Sequence, residues 1–306
     1  VSTSTTTQPV TEELRRWIVA QAEAGCLPED VLKAMVASGW HEHVAVDALE
    51  QTLREHLRAR RGTAAAAPAA LGTGVSASAA DDRPGPAAVP VPEPALRNGD
   101  NLVWAEGHPV QVLMSMTLPR VVVFGNVLSD EECDALIDLA RPRLARSETV
   151  DTATGGSEVH TARTSDGMFF ERGQTPLIER IERRLAALVQ WPVERGEGLQ
   201  ILRYRPGAQY QPHHDYFDPA RPGTPRILER GGQRVGTVVM YLNTPERGGA
   251  TTFPDAGLSV GPTRGSAVFF SYDRPHPATR TLHGGAPVLA GEKWVATKWL
   301  REGTFV

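Results

Sequence analysis

Gln211-Pro212-His213-His214-Asp215-Tyr216-Phe217 is the stretch on which the reading of this chain turns. It stands at the end of a predicted strand. Strand side chains alternate between faces, so His213 and Asp215 point one way and His214 the other. An imidazole and a carboxylate on one face are two candidate metal ligands. A third, supplied by a later strand, would complete a two-histidine, one-carboxylate facial triad, the donor set that suits Fe(II) and leaves adjacent positions open.

Two later histidines are candidates for that third place. His276 lies between Pro275 and Pro277, in a loop whose prolines cannot join a ladder. His283 closes the run Arg280-Thr281-Leu282 before Gly284-Gly285. A ligand on a strand end is held more rigidly than one in a proline loop, so His283 is preferred. Lys293 follows ten residues later, past a turn at Gly291, on a strand predicted over Lys293 to Leu300. A hairpin there returns Lys293 to the same cavity, with Val295, Thr297 and Trp299 on its face and Trp294 on the other. A lysine without a role on an apolar strand costs several kcal/mol unless it is paired. Anchoring the distal carboxylate of a 2-oxoacid is such a role.

Around these residues the C-terminal part reads as short strands broken by Gly, Pro, Asn and Asp: Leu199 to Tyr204, Thr237 to Leu242, Ala250 to Phe253, Leu258 to Val260, Ala267 to Ser271 and Arg280 to His283. That pattern means a sandwich, barrel or jelly roll. Two helices precede it. One opens at Ser129, with Glu132 three residues on in a capping-box pattern, and the other runs from Pro176 to Val189 with an apolar face. Further upstream, residues 63–96 are rich in Ala, Pro, Gly and Ser and read as a linker. Residues 1–62 read as a small helical module with helices over Glu12 to Ala24, Pro28 to Ser38 and His43 to about Arg60.

The 306 residues suffice for one large domain and one small one. A formal net charge of -4 argues against nucleic acid as a partner. No stretch reaches the roughly 20 apolar residues a membrane span needs, and the N-terminus lacks the pattern of a secretory signal. The two cysteines, Cys26 and Cys133, fall in separate predicted domains, which argues against a disulfide and for a reducing, cytoplasmic setting.

From about Leu128 to Leu300 the chain resembles the prolyl 4-hydroxylases of the iron(II)/2-oxoglutarate dioxygenase superfamily. The likeness is carried by Arg163-Thr164-Ser165-Asp166-Gly167-Met168-Phe169, Leu199 to Tyr204, Tyr210 to Phe217, Thr237 to Asn243, Gly248-Gly249-Ala250-Thr251-Thr252-Phe253-Pro254, His283 to Val288 and Gly291 to Trp294. It implies an α+β fold with a double-stranded β-helix (jelly-roll) core and flanking helices over 97–306, preceded by the small three-helix domain. That first domain resembles, over about fifty residues, a ubiquitin-associated module, and so implies a surface that binds a protein or dimerises; a bundle serving only its own core is the other reading.

By the same resemblance His213, Asp215 and His283 hold Fe(II). Lys293 and Thr251 bind the 2-oxoglutarate C5 carboxylate and Tyr204 hydrogen-bonds the cosubstrate, while Tyr210, Trp299, Arg234 and Glu197 bind a peptide. No catalytic group beyond the metal centre is expected. O2 is the second cosubstrate, ascorbate a reductant, and the products are succinate, CO2 and hydroxylated proline in a peptide or protein. Asp215 fills the place that halogenating relatives leave to chloride, which favours hydroxylation. One departure is Ala250, where the family commonly has Glu. A hydroxylase of a free amino acid or small metabolite is the alternative, and a non-catalytic binding scaffold the third reading.

Overall fold

The computed structural model describes residues 10–23, 28–38, 40–65, 87–96, 100–147, 149–150, 157–158 and 164–306. Cys26, Arg163 and residues 66–86 of the expected linker lie outside them. The chain divides into two compact units, Val1–Asp81 and Asp82–Val306.

In the first unit the helices Glu12–Glu23, Pro28–Ala37 and Glu42–Ala65 enclose Ile18, Val31, Met35, Ala45, Ala48 and Leu49. These positions recur at helical spacing and give each helix one apolar stripe. No helix among the described residues is long and apolar enough to cross a membrane.

The second unit is built on two antiparallel sheets. Among the described residues the larger has nine strands, in the order Leu102–Ala105, His108–Met116, Arg120–Gly125, Ala267–Ser271, Arg234–Tyr241, Lys293–Arg301, Leu199–Tyr204, Asp166–Phe170 and Ala145–Arg146. The smaller has four: Leu258–Val260, Thr251–Phe253, His283–Gly285 and Tyr210–His213. This is the jelly-roll core. The opening hairpin, Leu102 to Met116, was not anticipated, although Val110, Val112 and Met114 alternate as a strand does.

Two helices cover the outer face of the larger sheet. Asp130–Ala140 starts with the expected capping box: the Ser129 hydroxyl accepts from Glu132 N at 3.2 Å, and Ser129 N donates to the Glu132 carboxylate at 3.1 Å. Glu132 also takes a fork from Arg184 of the second helix, Pro176–Leu188, at 2.6 and 3.0 Å. Burial alone would raise the Glu132 pKa. The Arg184 fork and the Ser129 amide outweigh it and bring the carboxyl down to about 2. Leu136, Ile178, Ile181 and Leu185 meet Ile201, Val238, Met240, Trp294 and Ala296 from the sheet. Trp294 thus belongs to the helix-side core.

Both ends of the expected 63–96 linker have defined structure. Helix continues through Ala65, and residues 87–96 lie against the jelly roll. Val89 N donates to Asp273 O at 2.9 Å and Glu93 N to Val189 O at 3.0 Å. The Glu93 carboxylate receives Arg120 Nε at 2.9 and 3.0 Å, and Pro92 and Pro94 are buried. A Pro-x-Pro run is already extended before it docks, so little entropy opposes ordering it.

Candidate metal centre

His213 closes its strand and His283 opens the neighbouring one, and the ladder sets them opposite each other as Cα partners. His283 therefore begins a strand where the sequence reading had it end one; Pro277–Thr279 is a short 3-10 turn and Arg280 takes the left-handed conformation at φ 53°. The close approach of the two strands depends on Gly284, where a Cβ would lie 2.9 Å from the Tyr210 carbonyl oxygen.

His213, Asp215 and His283 each offer a ligand atom, all within 4.8 Å of one another. Among the described residues they are the only such cluster of histidines, cysteines and acids. Their mutual contacts, His213 Nε2 to Asp215 Oδ1 at 3.6 Å and His283 Nε2 to Oδ2 at 3.5 Å, are too long for hydrogen bonds. The opposite ring nitrogens are committed. Nδ1 of His213 sits 2.9 Å from the Gln211 carbonyl and Nδ1 of His283 sits 3.0 Å from that of Thr281. Carbonyls only accept, so each Nδ1 carries the proton and each Nε2 turns a lone pair to the centre.

The rings are also wedged in place. Tyr210 stacks on His213 at 3.7 Å between centroids, and Phe270 lies 4.5 Å from His283. Burial pushes the His283 pKa down to about 4, so the ring is neutral and able to ligate. Burial would raise that of Asp215, but the facing imidazoles and Arg234 hold it well below the usual carboxylate range. His276 is excluded: its Nδ1 accepts from Ala278 N at 3.1 Å and caps the Pro277–Thr279 turn.

A cavity of about 50 Å³ opens from the triad. Tyr204, Tyr210, Val239, Thr251, Lys293, Val295, Thr297 and Trp299 are among its lining residues, so the predicted face of the Lys293 strand is the observed one. Lys293 is 4% exposed and makes no hydrogen bond or ion pair among the described residues. Its ammonium hangs 5.5 Å from the Tyr204 ring centre and 5.6 Å from that of Tyr241. Burial alone brings its pKa down to about 8. Gly249, at φ +73°, leaves room for its stem, since a Cβ there would meet Lys293 Cδ at 3.1 Å.

Thr251 stands beside it with a prepared hydroxyl. Tyr241 Oη donates to Thr251 Oγ1 at 2.7 Å, which leaves the threonine proton free to be donated. A buried cation and a threonine donor converging on one cavity are the fittings for a carboxylate. The metal donors and this seat fit an iron ion and a dicarboxylic cosubstrate.

Two expected peptide-binding groups are elsewhere. Glu197 and Arg234 do not line the cavity: Arg234 donates to both Glu197 oxygens at 2.7 and 2.9 Å, and Arg301 adds a third bond at 2.6 Å. Glu197 is 7% exposed and Arg234 9%. Both oxygens of this buried carboxylate are already engaged by guanidinium groups. Arg234 instead lies 4.0 Å over the Trp299 ring and backs it from behind. Tyr210 and Trp299 do line the cavity, and Phe169, half exposed, stands 6.4 Å from Trp299.

Thr237, Tyr241 and Tyr272 escaped the sequence reading. Thr237 Oγ1 donates to Asp215 Oδ2 at 2.7 Å and lies 3.0 Å from Tyr272 Oη. The signal was there: Thr237, Val239 and Tyr241 occupy alternate places on one strand, on the face from which Val239 lines the cavity, while Val238 and Met240 face the helices.

A profile described as the 2OG-Fe(II) oxygenase superfamily matches residues 199–301. Probable prolyl 4-hydroxylase 3 of Arabidopsis thaliana is 41% identical over 209 residues, covering 61% of this chain and 71% of that one. The chain belongs to the prolyl 4-hydroxylase family of 2OG-Fe(II) oxygenases. Prolyl 4-hydroxylase 1 of the same plant is 45% identical over 202 residues, covering 60% of this chain and 69% of its own. Among solved structures, the viral collagen prolyl hydroxylase of Paramecium Bursaria Chlorella virus-1, in its 2OG complex, is 28% identical, with a TM-score of 0.45 over 58% of this chain and 94% of that one. This oxygenase is a 2-oxoglutarate-dependent dioxygenase, and its family uses Fe(II), 2-oxoglutarate and O2.

Proposed function

We propose that the chain hydroxylates proline within a peptide or protein, with His213, Asp215 and His283 holding Fe(II) and Lys293, Thr251 and Tyr204 seating 2-oxoglutarate. The observation that carries this is Lys293, a buried ammonium without an acidic partner among the described residues, in the same cavity as a complete triad of preset ligands. Iron, 2-oxoglutarate and O2, when bound, would supply the oxidation that converts a C–H bond to C–OH, one oxygen atom of O2 going to the product and the other to succinate as 2-oxoglutarate loses CO2.

The residues around them do the rest. The Gln211 and Thr281 carbonyls fix both imidazole tautomers. Tyr241 directs the Thr251 proton into the carboxylate seat. Tyr210 and Trp299 form an aromatic wall suited to the flat, apolar edge of a proline ring, with Glu197 and Arg234 as its support. Ascorbate as the reductant belongs to the same proposal. So does a reducing compartment, supported by Cys133, whose thiol is buried, unpaired and pushed up to about 11 by burial. A protein-binding or dimerising surface on residues 10–65 is supported by Trp17 and Val36, large apolar side chains left exposed there.

The test is mass spectrometry after incubation with Fe(II), 2-oxoglutarate and O2, over proline peptides and free amino acids. The expected product is a peptide heavier by one oxygen on proline. Turnover of a free amino acid with peptides untouched would overturn the peptide assignment and favour the small-metabolite reading.

A further inference from the structure

Asp215 is gripped from behind by a chain of two hydroxyls. Thr237 has one proton and gives it to Asp215 Oδ2 at 2.7 Å. Tyr272, 3.0 Å from the same Thr237 oxygen, must then be the donor in that second contact. Both residues are buried, at 0% and 2% exposure. Beyond Tyr272 lies the segment 87–96. Its Val91 and Glu93 share one outer cavity with Tyr272, and its Ala87 and Val89 share a second. Val89 N is bonded to Asp273, the residue after Tyr272. Pro92 presses on Gly236, the residue before Thr237: a Cβ on Gly236 would meet Pro92 Cγ at 2.6 Å.

The consequence concerns how many oxygens Asp215 can give to a metal. A carboxylate can bind through one oxygen or both, and the second would fill a position that cosubstrate or O2 needs. A hydroxyl held on Oδ2 competes for that oxygen. Resting on the ligand assignment above, we propose that Thr237, Tyr272 and the Val89–Glu93 strap are positioning residues that keep Asp215 a one-oxygen ligand. The strap that reads as the end of a linker is on this view part of the metal centre's outer frame.

The test uses the full chain and Co(II) alone as the probe, measuring affinity by equilibrium titration and coordination number by the visible spectrum. Thr237→Val should weaken Co(II) binding about 10- to 100-fold, the usual cost of losing such a partner, and shift the spectrum toward higher coordination. Tyr272→Phe should do the same in the same direction, by roughly tenfold or less. Gly236→Ala, which keeps an ordinary backbone and only displaces Pro92, should behave like Tyr272→Phe, and adding Pro92→Gly should restore part of the affinity because the two sites are coupled. Leu136→Ala, in the helix-side core, is the control that lowers thermal stability and leaves Co(II) binding alone. If Tyr272→Phe and Gly236→Ala merely lower the melting temperature, as Leu136→Ala does, the proposal is wrong. A wild-type chain that binds no Co(II) would instead sink the ligand assignment.

Discussion

Replacing Lys293 by Met should make the cosubstrate-free protein more stable and the enzyme worse. The ammonium's pKa falls from 10.5 to about 8 through burial alone. At ~1.4 kcal/mol for each tenfold loss of proton affinity, keeping that charge folded at neutral pH costs roughly 3 kcal/mol. Met has a similar length and no charge. Removing the penalty should raise the melting temperature of the metal- and cosubstrate-free protein by roughly 6–12 °C, given about 2–4 °C per kcal/mol in a domain of this size. The sign can be checked separately. The folded pKa lies below the unfolded one, so the unfolded chain holds more protons between pH 8 and 10.5. Wild-type stability should climb across that window, and the Met variant should lose the climb. The same substitution removes a charge-assisted bond to the cosubstrate, and the KM for 2-oxoglutarate should rise about 10- to 100-fold. Calorimetry and succinate detection read the two effects. A Met variant that melts lower than wild type, or keeps its KM, would refute the reading of Lys293 as an uncompensated cation kept for a carboxylate.

Other outcomes follow from the same geometry. His283→Ala should abolish Fe(II)-dependent succinate formation while His276→Ala keeps most of it; equal losses would overturn the ligand assignment. Tyr241→Phe should raise the 2-oxoglutarate KM about 3- to 10-fold with kcat nearly unchanged, because it frees Thr251 to turn its proton away; a fall in kcat alone would contradict that. In pH profiles, kcat/KM for 2-oxoglutarate should be held below about pH 8 and fall above it as Lys293 loses its proton, approaching about tenfold per pH unit. A flat profile through pH 9 would mean another cation binds the carboxylate. Deleting residues 1–86 should leave turnover on a short proline peptide, whereas deleting 1–96 removes the strap and should impair it; identical behaviour would argue against any contribution from residues 87–96.

What could be read from sequence was what local chemistry decides. Ser129 and Glu132 announce a helix start whatever surrounds them, and an alternating run such as Lys293 to Trp299 declares its faces. The triad was legible because His213 and Asp215 lie two apart at a strand's end, Asp215 just past it, and His283 ends up beside them through a single ladder. The surroundings of Glu197 were hidden for the opposite reason. Its partners Arg234 and Arg301 lie 37 and 104 residues away in sequence, and nothing near Glu197 says that two guanidiniums will claim its carboxylate. The Thr237–Tyr272 chain depends likewise on which strands become neighbours. The residues 87–96 misled by composition: proline and alanine suggest a free linker, yet a stiff extended run is cheap to dock once the fold offers it carbonyls at Asp273, past a strand end, and Val189, at a helix end.

The most direct test of the account is to supply isotopically heavy O2 with Fe(II), 2-oxoglutarate and a proline peptide, and to weigh both products. One heavy oxygen on the proline of the peptide and one in succinate, formed in equal amounts and absent in His283→Ala, is the predicted result. Succinate that forms without label on the peptide would contradict it.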